Sequence, residues 1–135
     1  MRFVCLGCWD QAMFDALSPA EQASIMDRCF EYDDVLRRGG HFVGGAALEP
    51  ASQAVTLHLK NGKATPIDGP FAETKEYIGG LLFLEARDMQ HAVELMSKHP
   101  GLAVGPFEIR PENPAISELV RARDARIAAE MKSGS

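Results

Sequence analysis

Apolar residues change their period several times along the chain, and each change marks an element. In "RFVCLGCW" (2–9) Phe3, Cys5, Gly7 and Trp9 alternate with Arg2, Val4, Leu6 and Cys8. Apolar groups on both faces are the mark of a central strand. Ser18-Pro19-Ala20-Glu21 is a capping box with proline at the first helical position, so a helix begins there. Along it Ile25, Cys29, Tyr32 and Leu36, with Met26 and Phe30 beside them, recur at helical spacing. Asp27, Glu31, Asp34 and Arg38 form the opposing polar stripe. Gly39-Gly40 closes the last turn at about residue 38, because glycine accepts the left-handed conformation such an end requires.

"HFVGGAAL" (41–48) follows as a short strand loosened by glycine, and "QAVTLHLKNGKATPI" (53–67) reads as a hairpin. Val55, Leu57 and Leu59 face one way and Thr56, His58 and Lys60 the other, while Asn61-Gly62 supplies the positive φ angles of a two-residue turn. "YIGGLLFLEA" (77–86) is apolar on both faces and so an interior strand. Asp88 caps a second helix carrying Met89, Ala92, Val93 and Met96, which Pro100-Gly101 ends. "GPFEIRP" (105–111) is a last short strand, with Phe107 and Ile109 opposite Glu108 and Arg110. Asn113-Pro114 caps a third helix reaching about residue 131, with Ile116, Leu119, Val120 and Ile127 on one stripe, and "KSGS" (132–135) is read as a disordered tail.

The order β, α, β, hairpin, β, α, β predicts an α+β fold, a ferredoxin-like sheet with an added hairpin strand. Its domain spans 1–112, with an appended helix over 113–131. Two helices cover one side of a sheet, yet strands 2–9 and 77–86 are apolar on both sides. The uncovered patch exceeds what soluble monomers usually expose. A second copy packing sheet against sheet would cover it, giving a homodimer that encloses a dimeric α+β barrel. The alternative is that the third helix folds back over the bare face and leaves a monomer.

Composition narrows the function. A chain of 135 residues fits one domain, and its formal charge of −5 disfavours polyphosphate backbones, so no direct nucleic-acid binding is expected. No window approaches the ~20 apolar residues of a membrane span, and the start lacks a secretory core, so no membrane association and a cytoplasmic location are expected. Three cysteines suit a reducing compartment. Cys5 and Cys8 have the spacing of a metal or redox pair, but a strand turns them to opposite faces, which favours a structural reading. No nucleotide loop, nucleophile elbow, zinc spacing or dinucleotide fingerprint occurs, so no cofactor and no metal are expected.

Candidate chemistry gathers in "IDGPFAETKEYIGG" (67–80), which sets Asp68, Glu73, Lys75 and Glu76 between two apolar runs. Gly69 before Pro70 is pushed toward extended geometry and Pro70 fixes its own φ, so Asp68 is presented from a stiff corner. Asp68 either closes the turn or lines a cleft, and Glu73, Lys75 and Glu76 are either a solvated run or a cleft wall. Phe71 reads as a packing anchor. His58 lies ten positions before Asp68, as a solvated strand histidine or as a second titratable group of the same cleft. His91 falls on an exposed helix face, and His99 near a helix C-terminus favours the dipole; His41 has no assigned role. Lys75 or Arg110 would orient a small polar or anionic ligand, with Gly69, Pro70 and Phe71 beside it. Asp68, helped by His58 or Glu73, would then move a proton.

"LSPAEQ", "DGPFAETKEYIGGLLFLEA" and "HPGLAVGPFEIRP" together resemble YCII-related proteins of the DGPF subgroup, over residues 1 to about 112. The resemblance implies a dimeric α+β barrel with a cleft between subunits, cofactor-independent lyase or isomerase chemistry in some relatives, and association with alternative sigma factors in others. It also implies an acid–base dyad between a histidine on the first helix and an acidic residue. The first helix here, 18–38, has no histidine. Two functions follow: proton transfer on a small molecule, or a non-catalytic binding or regulatory module. In the second, the third helix, with Arg121, Arg123 and Arg126, docks a protein partner.

Overall fold

The computed structural model describes residues 1–72 and 77–134. At its centre β1 (Arg2–Trp9) runs antiparallel to β5 (Tyr77–Glu85) on one side and β6 (Phe107–Pro111) on the other, and β2 (Phe42–Ala47) pairs with the far edge of β5. The order β2-β5-β1-β6, with one long helix and a five-residue one between β1 and β2 and a further helix between β5 and β6, is the ferredoxin-like arrangement the sequence predicts. The hairpin departs from expectation. β3 (Val55–Lys60) and β4 (Lys63–Asp68) form a separate two-stranded sheet and add no strand to the four. Six matched residue pairs, from Val55↔Asp68 to Lys60↔Lys63, let the two strands satisfy each other, with Asn61 (φ 51°) and Gly62 (φ 76°) forming the turn.

Between β1 and β2 lies α2 (Pro19–Arg38). Its capping box is formed as read: Ser18 Oγ accepts from the Glu21 N–H at 3.1 Å, and the Ser18 N–H donates to Glu21 Oε1 at 3.2 Å. Gly40 takes φ 77°, and the His41 N–H returns to the Leu36 carbonyl at 2.8 Å. A five-residue helix that periodicity did not reveal, α1 (Gln11–Asp15), precedes it. The buried Asp10 side chain caps α1 by accepting from the Met13 N–H, and Phe14 packs on Trp9 with ring centroids 4.5 Å apart. Asp88 caps α3 (Met89–Met96) through the His91 N–H at 2.8 Å.

Helices α2 and α3 cover the sheet face carrying Phe3, Cys5, Leu82 and Leu84, which form the core with Leu36 and Met96. On the opposite face Val4, Leu6 and Leu81 are only half-buried and Phe83 is 36% exposed. The fold-back alternative for the last helix is not what forms. α4 (Pro114–Ser133), capped by Asn113 as read, buries none of its residues, and Leu119 is 67% exposed. The hairpin is likewise bare on its apolar side, where Leu59 is 76% exposed, whereas its polar side, Thr56 and His58, is half-buried.

Candidate active site

A cavity of about 310 Å³ lies between α2 and the sheet. One wall is the α2 stripe Cys29, Asp33 and Arg37, set four residues apart and therefore on one helix face. The floor is made of small residues, among them Gly7, Gly45, Ala46 and Gly80. A side chain at Gly45 would place its Cβ 2.5 Å from the Leu81 carbonyl oxygen, so two strands approach there as only glycine permits. Trp9, Phe42 and Phe107 supply aromatic surface. The volume sits at the small end of the ~300–1,000 Å³ usual for ligand pockets, and an apolar lining with few convergent polar groups is their usual character.

His99 also lines this cavity. It is 7% exposed and precedes the 3-10 turn Pro100–Ala103. Its Nε2 is 2.9 Å from Asp33 Oδ1, while its Nδ1 accepts from the Gly101 N–H at 3.0 Å. Tyr32 and Phe107 pack edge-on to the ring, with centroids at 5.5 and 5.0 Å. The Tyr32 hydroxyl in turn donates to the Leu95 carbonyl. Burial lowers the pKa of His99, but the hydrogen bond to Asp33, with a further contribution from Cys29, outweighs it and raises the value to about 9. The Gly101 N–H works against that rise, since it can donate only to an unprotonated Nδ1. In both charge states Nε2 keeps its proton on Asp33, and Nδ1 is the position that titrates.

The structure places the residues read from sequence elsewhere. Asp68 ends β4 opposite Val55. Gly69 takes φ +104° rather than the extended geometry expected of it, so the corner requires glycine. Its N–H donates to the Ala54 carbonyl at 2.7 Å and its carbonyl accepts from Thr56 Oγ1 at 2.7 Å. Phe71, read as a packing anchor, is 83% exposed, its ring centroid 6.0 Å from that of His58. Arg110 lies on β6 beside Glu108 at 3.7 Å. Neither His58 nor any of Asp68, Gly69, Pro70, Phe71 and Arg110 lines the cavity; Glu73 and Lys75 lie outside the described residues. His99, read as a dipole partner, is instead buried, with Nε2 in hydrogen-bond contact with Asp33 Oδ1. His91 is half-buried, its ring against that of His41 with centroids at 5.2 Å. Among the described residues no cluster of histidine, cysteine and carboxylate side chains could hold a metal ion, and no helix is long and apolar enough to cross a membrane.

A signal for the Asp33–His99 pair was present in the sequence. Asp33 follows Tyr32 of the apolar stripe and shares an i, i+4 row with Cys29 and Arg37, a polar residue on the packed side of a helix. Its partner, in His99-Pro100-Gly101, had no local mark.

Residues 1–114 match the YCII-related domain. The chain belongs to the YCII-related family. It is 28% identical over 115 residues to the uncharacterized protein R00369 of Rhizobium meliloti (strain 1021), covering 82% of this chain and 91% of that protein. Among solved structures it is similar to 5-chloro-2-hydroxyhydroquinone dehydrochlorinase (TftG) from Burkholderia phenoliruptrix AC1100, in complex with 2,5-dihydroxybenzoquinone. The TM-score is 0.50 at 12% identity, over 84% of this chain and 94% of that one. That likeness shows a shared fold for this YCII-related chain.

Proposed function

We propose that this YCII-related protein binds a small polar or anionic organic molecule in the cavity under α2 and moves a proton on it, in an isomerisation or an elimination, using Asp33 and His99 as the acid–base pair. The observation that carries this reading is the 2.9 Å contact between His99 Nε2 and Asp33 Oδ1 on the cavity wall. It supplies a histidine–carboxylate pairing of the kind the family resemblance implies, with the histidine coming from the turn after α3 instead of the first helix.

The roles follow from which atoms are already engaged. His99 is buried and both its ring nitrogens are bonded within the protein, so it holds its partner in place. Asp33 lines the cavity with Oδ1 held by His99, so Oδ2 is the oxygen assigned to the substrate. A proton leaving an activated C–H goes to Oδ2, and the electron pair enters the adjacent unsaturated system. Returning that proton to another carbon completes an isomerisation; losing an anionic leaving group completes an elimination. The structural neighbour is named for a dehydrochlorination and holds a single-ring quinone, which suits a cavity of this volume.

The half-buried sheet face of Val4, Leu6 and Leu81 and the bare hairpin support a homodimer. The hairpin group, Asp68, Gly69, Pro70, Phe71 and His58, enters the site only if a second copy brings it over the cavity, and Arg110 would meet the same interface; Glu73 and Lys75, read with that group from the sequence, belong to the same proposal. The DGPF block suits the same reading.

The test is a thermal-shift screen of small unsaturated carboxylates and hydroxylated rings, followed by turnover assays of whatever stabilises the protein. Asp33→Asn should keep the fold and abolish turnover. Full activity in that variant would remove the pair from the chemistry.

A further inference from the structure

Arg37 is the cavity's second charged wall residue on α2, one helical turn beyond Asp33, and it plays no part in the proton transfer described above. Its guanidinium carbon lies 4.1 Å from the centre of the Phe42 ring, and Phe42 also lines the cavity. Its NH1 donates to Asp34 Oδ1 at 2.8 Å on the half-exposed outer side, which uses one of the five N–H donors a guanidinium carries. A stacked, tethered arginine is a pre-organised fork for a planar anion. Asp34 is not part of the lining, so the charged groups facing the interior are Asp33, His99 and Arg37. Of these, Arg37 carries a permanent positive charge, which favours an anionic guest at its end of the cavity.

Spacing fixes where that anion sits. Four residues of α-helix advance about 6 Å, which separates the levels of Asp33 and Arg37 along the axis. A single six-membered ring or an equally long unsaturated chain spans such a gap, with a carboxylate at one end and a reactive carbon near the other. The glycine and alanine floor leaves room for it, and Trp9, Phe42 and Phe107 line the same cavity.

We infer that Arg37 determines specificity in this cavity by binding the carboxylate of a single-ring or similarly short planar monoanion, whose far end then lies at Asp33. This rests on the reading of the cavity as the binding site and names the substrate class it takes.

The experiment titrates benzoate and its uncharged isostere benzamide into the wild-type chain, Arg37→Gln and Arg37→Lys, following backbone amide resonances of Gly45 and Gly80 by NMR. Benzoate should bind the wild type tighter than benzamide by about 10- to 100-fold, the usual worth of a charge-assisted hydrogen-bonded contact. Arg37→Gln should bring benzoate down to the level of benzamide. Arg37→Lys keeps the charge without the fork and should recover part of the preference, which separates anion recognition from loss of packing on Phe42. Equal affinity of the two compounds for the wild type, or an undiminished preference in Arg37→Gln, overturns the role of Arg37 and leaves the cavity intact as a site. If neither compound moves the Gly45 and Gly80 resonances, the cavity reading fails together with it.

Discussion

His99 Nε2 and Asp33 Oδ1 meet at 2.9 Å across 66 residues of chain, tying the turn after α3 to the middle of α2. The same ring accepts the Gly101 N–H, so one side chain both caps a 3-10 turn and pairs with a carboxylate. NMR titration of the histidine ring protons should find one of the four histidines with a pKa well above 6.5, its rise toward about 9 restrained by the Gly101 donor. In Asp33→Asn the same resonance should titrate well below its wild-type value, because burial is then opposed by the Cys29 contribution alone. A wild-type His99 titrating at its ordinary value would remove the ion pair.

Stability should follow the same group. The folded pKa of His99 lies above its unfolded value of 6.5, so the pair's contribution is complete below about 6.5 and is lost as pH rises through about 9. An upper range of about 1 to 3 kcal/mol follows from a rise of this order. Denaturant melts of the wild type should therefore weaken between those limits, while Asp33→Asn shows a smaller loss. Parallel curves for the two proteins would contradict the linkage.

The three cysteines offer a separate test of the cavity. Cys5 is fully buried in the core, and burial pushes its thiol up to about 11. Cys8 and Cys29 are half-buried and line the cavity. Iodoacetamide at neutral pH, read by peptide mass spectrometry, should label Cys29 and Cys8 well before Cys5. Labelling of Cys29 should block any ligand that protects the protein thermally. Early labelling of Cys5 would mean that the core is not packed as described.

Adjacent glycines on β2 should respond in opposite ways. A Cβ at Gly45 would sit 2.5 Å from the Leu81 carbonyl oxygen, a backbone atom that cannot step aside, whereas at Gly44 the nearest contact is Phe83 Cδ2 at 3.7 Å. Gly45→Ala should cost roughly 1–3 kcal/mol, the usual range for overpacking. Gly44→Ala should be neutral or stabilising by up to about 1 kcal/mol through the unfolded chain. Chemical denaturation of the two variants side by side checks the strand pairing that shapes the cavity floor.

What the sequence made legible was local. The Ser18-Glu21 box, Asn61-Gly62, Asp88 and Asn113 each encode a cap or turn within four residues, and each forms as read. Apolar residues on both faces of β1 and β5 also gave the strand centre of the sheet correctly. Three things escaped for physical reasons. The α1 helix is too short to display a period. In the hairpin, alternation shows that Val55, Leu57 and Leu59 share a face but not whether anything covers it. The Asp33–His99 pair depends on how α2 and the turn after α3 dock, which no spacing along the chain records; the charged run at 68–76 drew attention because its residues are neighbours in sequence.

The bare sheet face yields the last prediction. Phe83, at 36% exposed, stands among the half-buried Val4, Leu6 and Leu81, on the side away from α2 and α3. α4 could have covered this surface, yet it buries none of its own residues and keeps Ile116 and Leu119 in solvent. If a second copy covers the face, a carboxylate at its centre must be buried opposite its own symmetry mate, and two like charges in a dry interface cost several kcal/mol. Phe83→Asp should then shift the protein from dimer to monomer in sedimentation velocity, while truncation after residue 113 leaves the dimer in place, since α4 lies outside the sheet contact. A wild-type chain that sediments as a monomer at all accessible concentrations would remove the sheet-to-sheet dimer and, with it, any role for the hairpin residues over the cavity. Loss of the dimer on truncation alone would instead assign the interface to α4.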